Sequence, residues 1–523
     1  MRPALAAAAL NPFILAALLT ACSDAPSAGV DVDAPTLCTA ATATADQPAR
    51  AASAASATTS DALASTRPLP AWYDDAKLGI MIHWGVWTIP GFAETTLDPE
   101  RVADPNDPDY LLAPGGIERF LRHNPYTEWY ENSLAIDGTA TQAFHHATYG
   151  ADFPYTGFAP LFEEASAPWQ ADDWADLFAR ARARYVVFVS KHHDGYALWP
   201  TSVANPRRPG WSSSRDYAGE LADAVRERCQ RFGVYYSGGI DWSFSPPPIQ
   251  NAVEFLLSTP TDADYARYVE DQYRDLIARY QPAVLWNDIG SPVLTDEARL
   301  FADYYAAVPD GVVNDRWGLD PSLPPADFRS VEYDVRDEIS PDKWEAVRGI
   351  GRAFGWNANQ REEDYGTPEK YVHLLIDTVS KNGNLLLNVG PMADGTIPAP
   401  QVRILRALGA WLERYGEAIF ATRPWTRFRG ETEQGIDARF TQSRDGSVVY
   451  ATLLGTPAGT SVTLRDFAPT PAAVRFARGD GADAGTRDDG EPLTWRRDGA
   501  DLVIELPAVL DAQPAHALAI ELG

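Results

Sequence analysis

The chain has 523 residues and a formal net charge of −28. No basic run of useful length appears, so the charge argues against a nucleic-acid partner, whose phosphate backbone needs basic patches. With 45% hydrophobic and 11% aromatic residues there is material for a large core, whereas three cysteines cannot build a disulfide framework.

Residues 1–21 carry Arg2 followed by a run rich in Ala and Leu, too short and too poorly flanked to cross a membrane. Leu18-Leu19-Thr20-Ala21-Cys22 resembles a bacterial lipobox. That resemblance implies a lipoprotein-type signal peptide over 1–21 and a lipid on Cys22. Ser23 after the cysteine then points to the periplasm-facing outer membrane. The alternative is an ordinary cleaved signal peptide and a soluble periplasmic or secreted protein. Residues 22–68, rich in Ala, Ser, Thr and Asp without hydrophobic period, read as a disordered tether. Cys38 and Cys229 lack CxxC spacing and read as buried or idle thiols.

Residues 69–422 alternate short apolar runs with helical periods. Strands are expected at 78–82, 185–189, 232–236, 283–286, 311–313, 329–333, 352–356 and 384–387. Amphipathic helices are expected over 172–184, 216–231 and 265–280. Repeated βα units of this kind predict an α/β fold, a (β/α)8-like barrel. In residues 423–523 short alternating segments separated by turn residues predict a C-terminal antiparallel β-sandwich.

Barrel active sites sit at the C-terminal ends of strands. The polar residues ending the apolar runs are His83, His192, His193, Asp194, Tyr235, Asp288, Arg316, Glu332 and Asn388. Two carboxylates on different strands are what glycoside hydrolysis needs. A strand-end carboxylate also serves as an ordinary helix cap, and a barrel histidine as a buried, satisfied core residue. His192-His193 does not read as a metal site, because consecutive strand residues point to opposite faces. No metal and no cofactor is expected.

Several stretches resemble glycoside hydrolase family 29, the α-L-fucosidases. They are Ala76 to Gly85 (AKLGIMIHWG), Asn124 to Tyr130 (NPYTEWY), Lys191 to Gly195 (KHHDG), Gly233 to Gly239 (GVYYSGG), Val284 to Asp288 (VLWND), Asn314 to Gly318 (NDRWG) and Asn384 to Pro391 (NLLLNVGP). They occur in family order across residues 70–425. The resemblance implies a retaining exo-α-L-fucosidase acting on a fucosylated glycan, with Asp288 as nucleophile and Glu332 as acid/base. Glu338 and Glu345 are nearby competitors for the second role. It also implies that His83, Glu128, Trp129, His192, His193, Tyr235, Trp286 and Arg316 hold the sugar, with Phe354 as an aromatic wall. Fucose carries a methyl where other sugars carry a hydroxymethyl, and Tyr235, Trp286 and Phe354 are candidates for its apolar seat.

Residues 98–123 depart from the family pattern, and a loop there would border the pocket. Two other readings stand beside the leading one: a barrel glycosidase for another terminal sugar such as L-galactose, and a sugar-binding lipoprotein without catalysis. The sequence carries no signal for an oligomeric state.

Overall fold

Short apolar runs become strands where both faces are covered. The structure, a computed structural model, describes residues 67–95, 115–318, 326–479 and 491–523. The strands are β1 (Leu78–Ile82), β2 (Tyr185–Lys191), β3 (Arg231–Ser237), β4 (Val284–Asp288), β5 (Val312–Val313), β6 (Arg329–Glu332), β7 (Trp344–Gly349) and β8 (Gly383–Val389). They form one curled parallel sheet in the order β5-β4-β3-β2-β1-β8-β7-β6. β1, β2, β4 and β8 are buried along their whole length, as a parallel strand covered on both faces must be.

The sheet is the expected barrel with one open seam, because β5 and β6 share no ladder. One backbone hydrogen bond, Asp327 N to Val313 O (3.0 Å), and several side-chain bonds bridge the gap instead. Val313 N donates to Asp327 Oδ2 (2.9 Å), and Ser330 N and Oγ both donate to Asp315 Oδ1 (2.8 Å each). Among the described residues no helix separates β5 from β6 or β6 from β7.

One predicted strand is misplaced. Residues 352–356 are a loop, and the seventh strand is Trp344–Gly349. The apolar run there is interrupted by Glu345, which is fully buried and satisfied by partners far away in sequence. Two predicted helices also end early. Ala171–Arg180 stops before Arg182 (φ 65°), and Tyr217–Glu227 stops before Cys229 (φ 58°). Cys229 is disulfide-bonded, which corrects its reading as an idle thiol. The other two cysteines of the chain are Cys22 and Cys38. Both lie outside the described residues, as do the signal peptide and nearly all of the tether.

The helix Ala263–Tyr280 follows its predicted face. Asp262 caps it by accepting from Tyr265 N (2.9 Å), and Tyr265, Tyr268, Val269, Tyr273, Leu276, Ile277 and Tyr280 are buried.

After the barrel come β9 (Arg423–Glu431), β10 (Asp437–Gln442), β11 (Val448–Leu453), β12 (Ser461–Leu464), β13 (Pro471–Phe476), β14 (Trp495–Asp498), β15 (Asp501–Glu505) and β16 (His516–Leu522). They make a five-stranded sheet, β13-β16-β11-β10-β9, and a three-stranded sheet, β12-β15-β14. Phe440, Val449 and Ile520 from one sheet pack with Val462, Leu464 and Ile504 from the other. The sandwich docks on the barrel's last helices: Trp411 Nε1 donates to Ala515 O (2.9 Å), and Arg439 pairs with Asp377 (2.6 Å).

Candidate active site

The C-terminal ends of the strands surround a cavity of about 340 Å³. Every described residue lining it falls between Met81 and Phe354, so the described sandwich residues contribute nothing to its wall. The site residues that the family resemblance implies all line it: His83, Glu128, Trp129, His192, His193, Tyr235, Trp286, Asp288, Arg316, Glu332 and Phe354; of the strand-end candidates, Asp194 and Asn388 do not.

Asp288 ends β4 and is buried. Its Oδ2 accepts from the Tyr235 hydroxyl on β3 (2.7 Å), and its Oδ1 accepts from Arg316 Nη1 (2.9 Å). Burial alone would raise this carboxyl. The Arg316 charge and the hydrogen bonds from Arg316 and Tyr235 outweigh burial and hold it below its ordinary value.

Glu332 ends β6 at the cavity mouth, with 34% of its side chain open to solvent. Its Oε2 lies 3.0 Å from the same Arg316 nitrogen. Loss of hydration pushes Glu332 above its ordinary value; Arg316 opposes that rise and the Asp288 charge adds to it. The two contacts to Arg316 cap the separation of the carboxylate oxygens at about 6 Å, which accommodates a retaining pair at roughly 5–5.5 Å.

The open seam is what lets Arg316 do this. It follows β5, its Nε donates to Ser330 Oγ on β6 (3.0 Å), and its guanidinium lies 4.9 Å from the Trp286 ring centroid. A continuous ladder between β5 and β6 would occupy that space with backbone.

The histidines are neutral acceptors. His83 Nδ1 meets Asn388 Oδ1 (2.6 Å), while Asn388 Nδ2 donates to Phe354 O (2.7 Å). The amide oxygen therefore accepts, His83 Nδ1 carries the proton, and Nε2 is left as an acceptor. His193 repeats the logic: Ser237 Oγ donates to Ile240 O (2.7 Å), so it accepts from His193 Nδ1 (2.7 Å). Burial pushes both rings down to about 4. His192 is lowered too, by burial and by its neighbours His193 and His83.

Both His192 and His193 line the cavity, with ring centroids 3.9 Å apart. This corrects the expectation of opposite faces. β2 ends at Lys191, so the pair lies past the strand, where alternation no longer applies.

Glu128 sits in a single turn, Thr127–Trp129, and its Oε2 accepts from Gly355 N (3.0 Å). Burial pushes it up to about 7. Glycine is required at 355: a Cβ there would lie 2.4 Å from Thr127 Oγ1 and 2.8 Å from Glu128 Oε2. Phe354 stacks on His83 at 4.9 Å between centroids, and Trp129 meets His193 edge-on at 5.2 Å.

The competitors of Glu332 fall away from the cavity. Glu338 is exposed and does not line it. Glu345 lies buried among Tyr73, Tyr185 and Trp286, shut off from substrate.

The match of this chain to known proteins is extensive. The family model for Alpha-L-fucosidase matches residues 43–417. The tissue alpha-L-fucosidase of Bos taurus is 33% identical over 408 residues, 75% of this chain and 76% of that protein. The chain belongs to the alpha-L-fucosidase family of glycoside hydrolases. The plasma alpha-L-fucosidase of Homo sapiens is 32% identical over 84% of this chain and 86% of its own length. The structure of the Thermotoga maritima alpha-fucosidase in complex with fucose superposes with a TM-score of 0.74 at 39% identity, covering 87% of this chain and 97% of that one.

Against this family background several wall residues escaped sequence reasoning. Phe120, Phe255 and Ile289 line the cavity without polar or motif signals. Phe120 belongs to the helix Gly116–Arg122, so this part of the divergent 98–123 segment is helical and does border the pocket. Tyr333 adopts φ 52° beside Glu332, and its buried hydroxyl has no hydrogen-bond partner among the described residues. Its place next to the acid/base candidate was the one available signal. Among the described residues no group of three or more His, Cys, Asp or Glu is placed to hold a metal ion.

Proposed function

We propose that this protein is a retaining exo-α-L-fucosidase that releases terminal α-L-fucose from glycans through a covalent fucosyl-aspartate intermediate. The observation that carries the reading is the single Arg316 nitrogen within 3.0 Å of both Asp288 and Glu332. It supports two carboxyl groups at retaining separation, one held low and one pushed up.

In the first step the Asp288 carboxylate attacks C1 while Glu332 passes its proton to the glycosidic oxygen. The C1–O bond breaks, the aglycone leaves as an alcohol, and an ester joins Asp288 to the sugar. The Asp288 charge that raised Glu332 is now gone, which suits Glu332 to act as base. It takes a proton from water, the water oxygen bonds to C1, and the ester breaks to free fucose and Asp288.

The neutral Nε2 atoms of His83 and His193 accept from sugar hydroxyls. Phe354, Trp286 and Tyr235 offer the apolar seat for the C5 methyl. Similarity to an enzyme solved with fucose supports that choice of sugar.

The first-formed anomer tests the mechanism. NMR of early aryl α-L-fucoside hydrolysis is expected to show α-L-fucose appearing before mutarotation; initial β-L-fucose would establish inversion instead.

We further propose that Cys22 carries a lipid anchor. A disulfide at Cys229 supports export, because disulfides persist in oxidising compartments. A lipidated Cys22 has no free thiol, so on this reading Cys38 pairs with Cys229.

A further inference from the structure

Among the described residues of the barrel strands, Glu345 is the buried carboxyl that the mechanism leaves without a task. It lies in the middle of β7, fully buried. Its Oε2 accepts from the Tyr73 hydroxyl (2.8 Å) and the Tyr185 hydroxyl (2.5 Å), and its Oε1 accepts from Trp286 Nε1 (3.1 Å). Burying a carboxyl is costly, and an apolar side chain at this position would fill the barrel at lower cost.

What Trp286 supports explains why a carboxyl is there. The ring of Tyr235 stacks on the indole (centroids 5.4 Å apart, 18° between planes), and the Arg316 guanidinium lies 4.9 Å from its centroid. Among the described residues, Tyr235 and Arg316 are the two side chains that donate to Asp288. One indole is thus the shared platform for both donors. An indole N–H is a donor only, so the acceptor that fixes the rotation of this ring is Glu345 Oε1.

We propose that Glu345 is a positioning residue of the active site: by holding the Trp286 indole it sets the two donors that keep Asp288 ionised. This rests on Asp288 being the nucleophile. The carboxyl does not touch the sugar. It acts through Trp286, and Oε1 accepts from the indole whether or not Oε2 carries a proton. Burial pushes Glu345 up to about 7, with Tyr185, Tyr73, Trp286 and the Lys343 charge opposing. An amide therefore mimics its protonated form.

Glu345→Leu and Glu345→Gln separate positioning from plain packing. In Glu345→Leu the donors of Asp288 loosen and its carboxyl rises. The acidic limb of the kcat/KM profile is expected to move up by about one pH unit, a roughly tenfold loss below the limb, with KM within about twofold. Glu345→Gln keeps an oxygen for Trp286 Nε1 and is expected to return the limb to its wild-type position. Tyr73→Phe and Tyr185→Phe remove the other two bonds; they should lower Tm and leave the limb in place. Should Glu345→Leu not fold, Trp286→Phe removes the same hydrogen bond from its other end and should shift the limb in the same direction. An acidic limb unmoved in a folded Glu345→Leu or Trp286→Phe overturns the proposal. An active Asp288→Gly would overturn the nucleophile assignment instead, so the two failures are distinguishable.

Discussion

The Tyr235 hydroxyl donates to Asp288 Oδ2 at 2.7 Å, and Asp288 is held below its ordinary carboxyl value although it is buried. The hydrogen bond favours the charged form, so removing it must raise the pKa of the nucleophile. Tyr235→Phe should shift the acidic limb of kcat/KM to higher pH and cost roughly 10- to 100-fold in kcat, the range for a hydrogen bond to a charged group. The alkaline limb should move much less, since Tyr235 makes no hydrogen bond to Glu332. A limb that stays in place would detach Tyr235 from the ionisation of Asp288.

Arg316 lowers both carboxyls of the pair. Replacing it with methionine keeps bulk and removes the charge. Both limbs of the bell should then move up, because each carboxyl loses the cation that favours its ionised form. The limbs are macroscopic values of a coupled pair, so the shift is read on the whole curve. Movement of one limb alone would show that Arg316 serves only one carboxylate in solution.

The apolar seat makes a claim about sugar choice. Comparing aryl α-L-fucoside with aryl α-L-galactoside isolates the C5 substituent, worth about 1–3 kcal/mol in an apolar pocket, or roughly 10- to 200-fold in kcat/KM. Phe354→Ala should reduce that ratio, and because Phe354 is buried against His83, Tyr126 and Tyr333 it should also lower Tm. An unchanged ratio would move the seat to other residues.

Lipid at Cys22 has two consequences. Cell fractionation should place wild type with membranes and Cys22→Ser in the soluble fraction, since diacyl anchoring is stable where a single chain is not. Peptide mapping without reduction should recover Cys38 linked to Cys229. A Cys22–Cys229 peptide would exclude the anchor.

The barrel strands were legible in the sequence where burial on both faces makes a continuous apolar run, as at Leu78–Ile82 and at 284–286, the start of β4. Asp288, Arg316 and Glu332 were legible as polar residues ending such runs or their equivalents. Trp344–Gly349 was not, because Glu345 breaks its run and the three donors that make a buried carboxyl tolerable lie 59 to 272 residues away. The open seam was also hidden: β5 is only two residues long, and the bridges that replace its ladder leave no periodic trace. The histidine pair misled because strand alternation was extended one step past the end of β2. Gly355 and Tyr333 owe their importance to what they approach in space, which local pattern does not encode.

The central claim is that Asp288 attacks and Glu332 donates and accepts the proton. Azide rescue of the two variants tests it most directly, with the product anomer read by NMR. Asp288→Gly should lose nearly all turnover, since no ester forms, and added azide should enter the vacated face to give β-L-fucosyl azide. Glu332→Ala should retain activity on activated aryl fucosides, which need little protonation, and azide should intercept the ester from the opposite face to give the α-azide. Substantial unaided activity in Asp288→Gly, or β-azide from Glu332→Ala, would contradict the account.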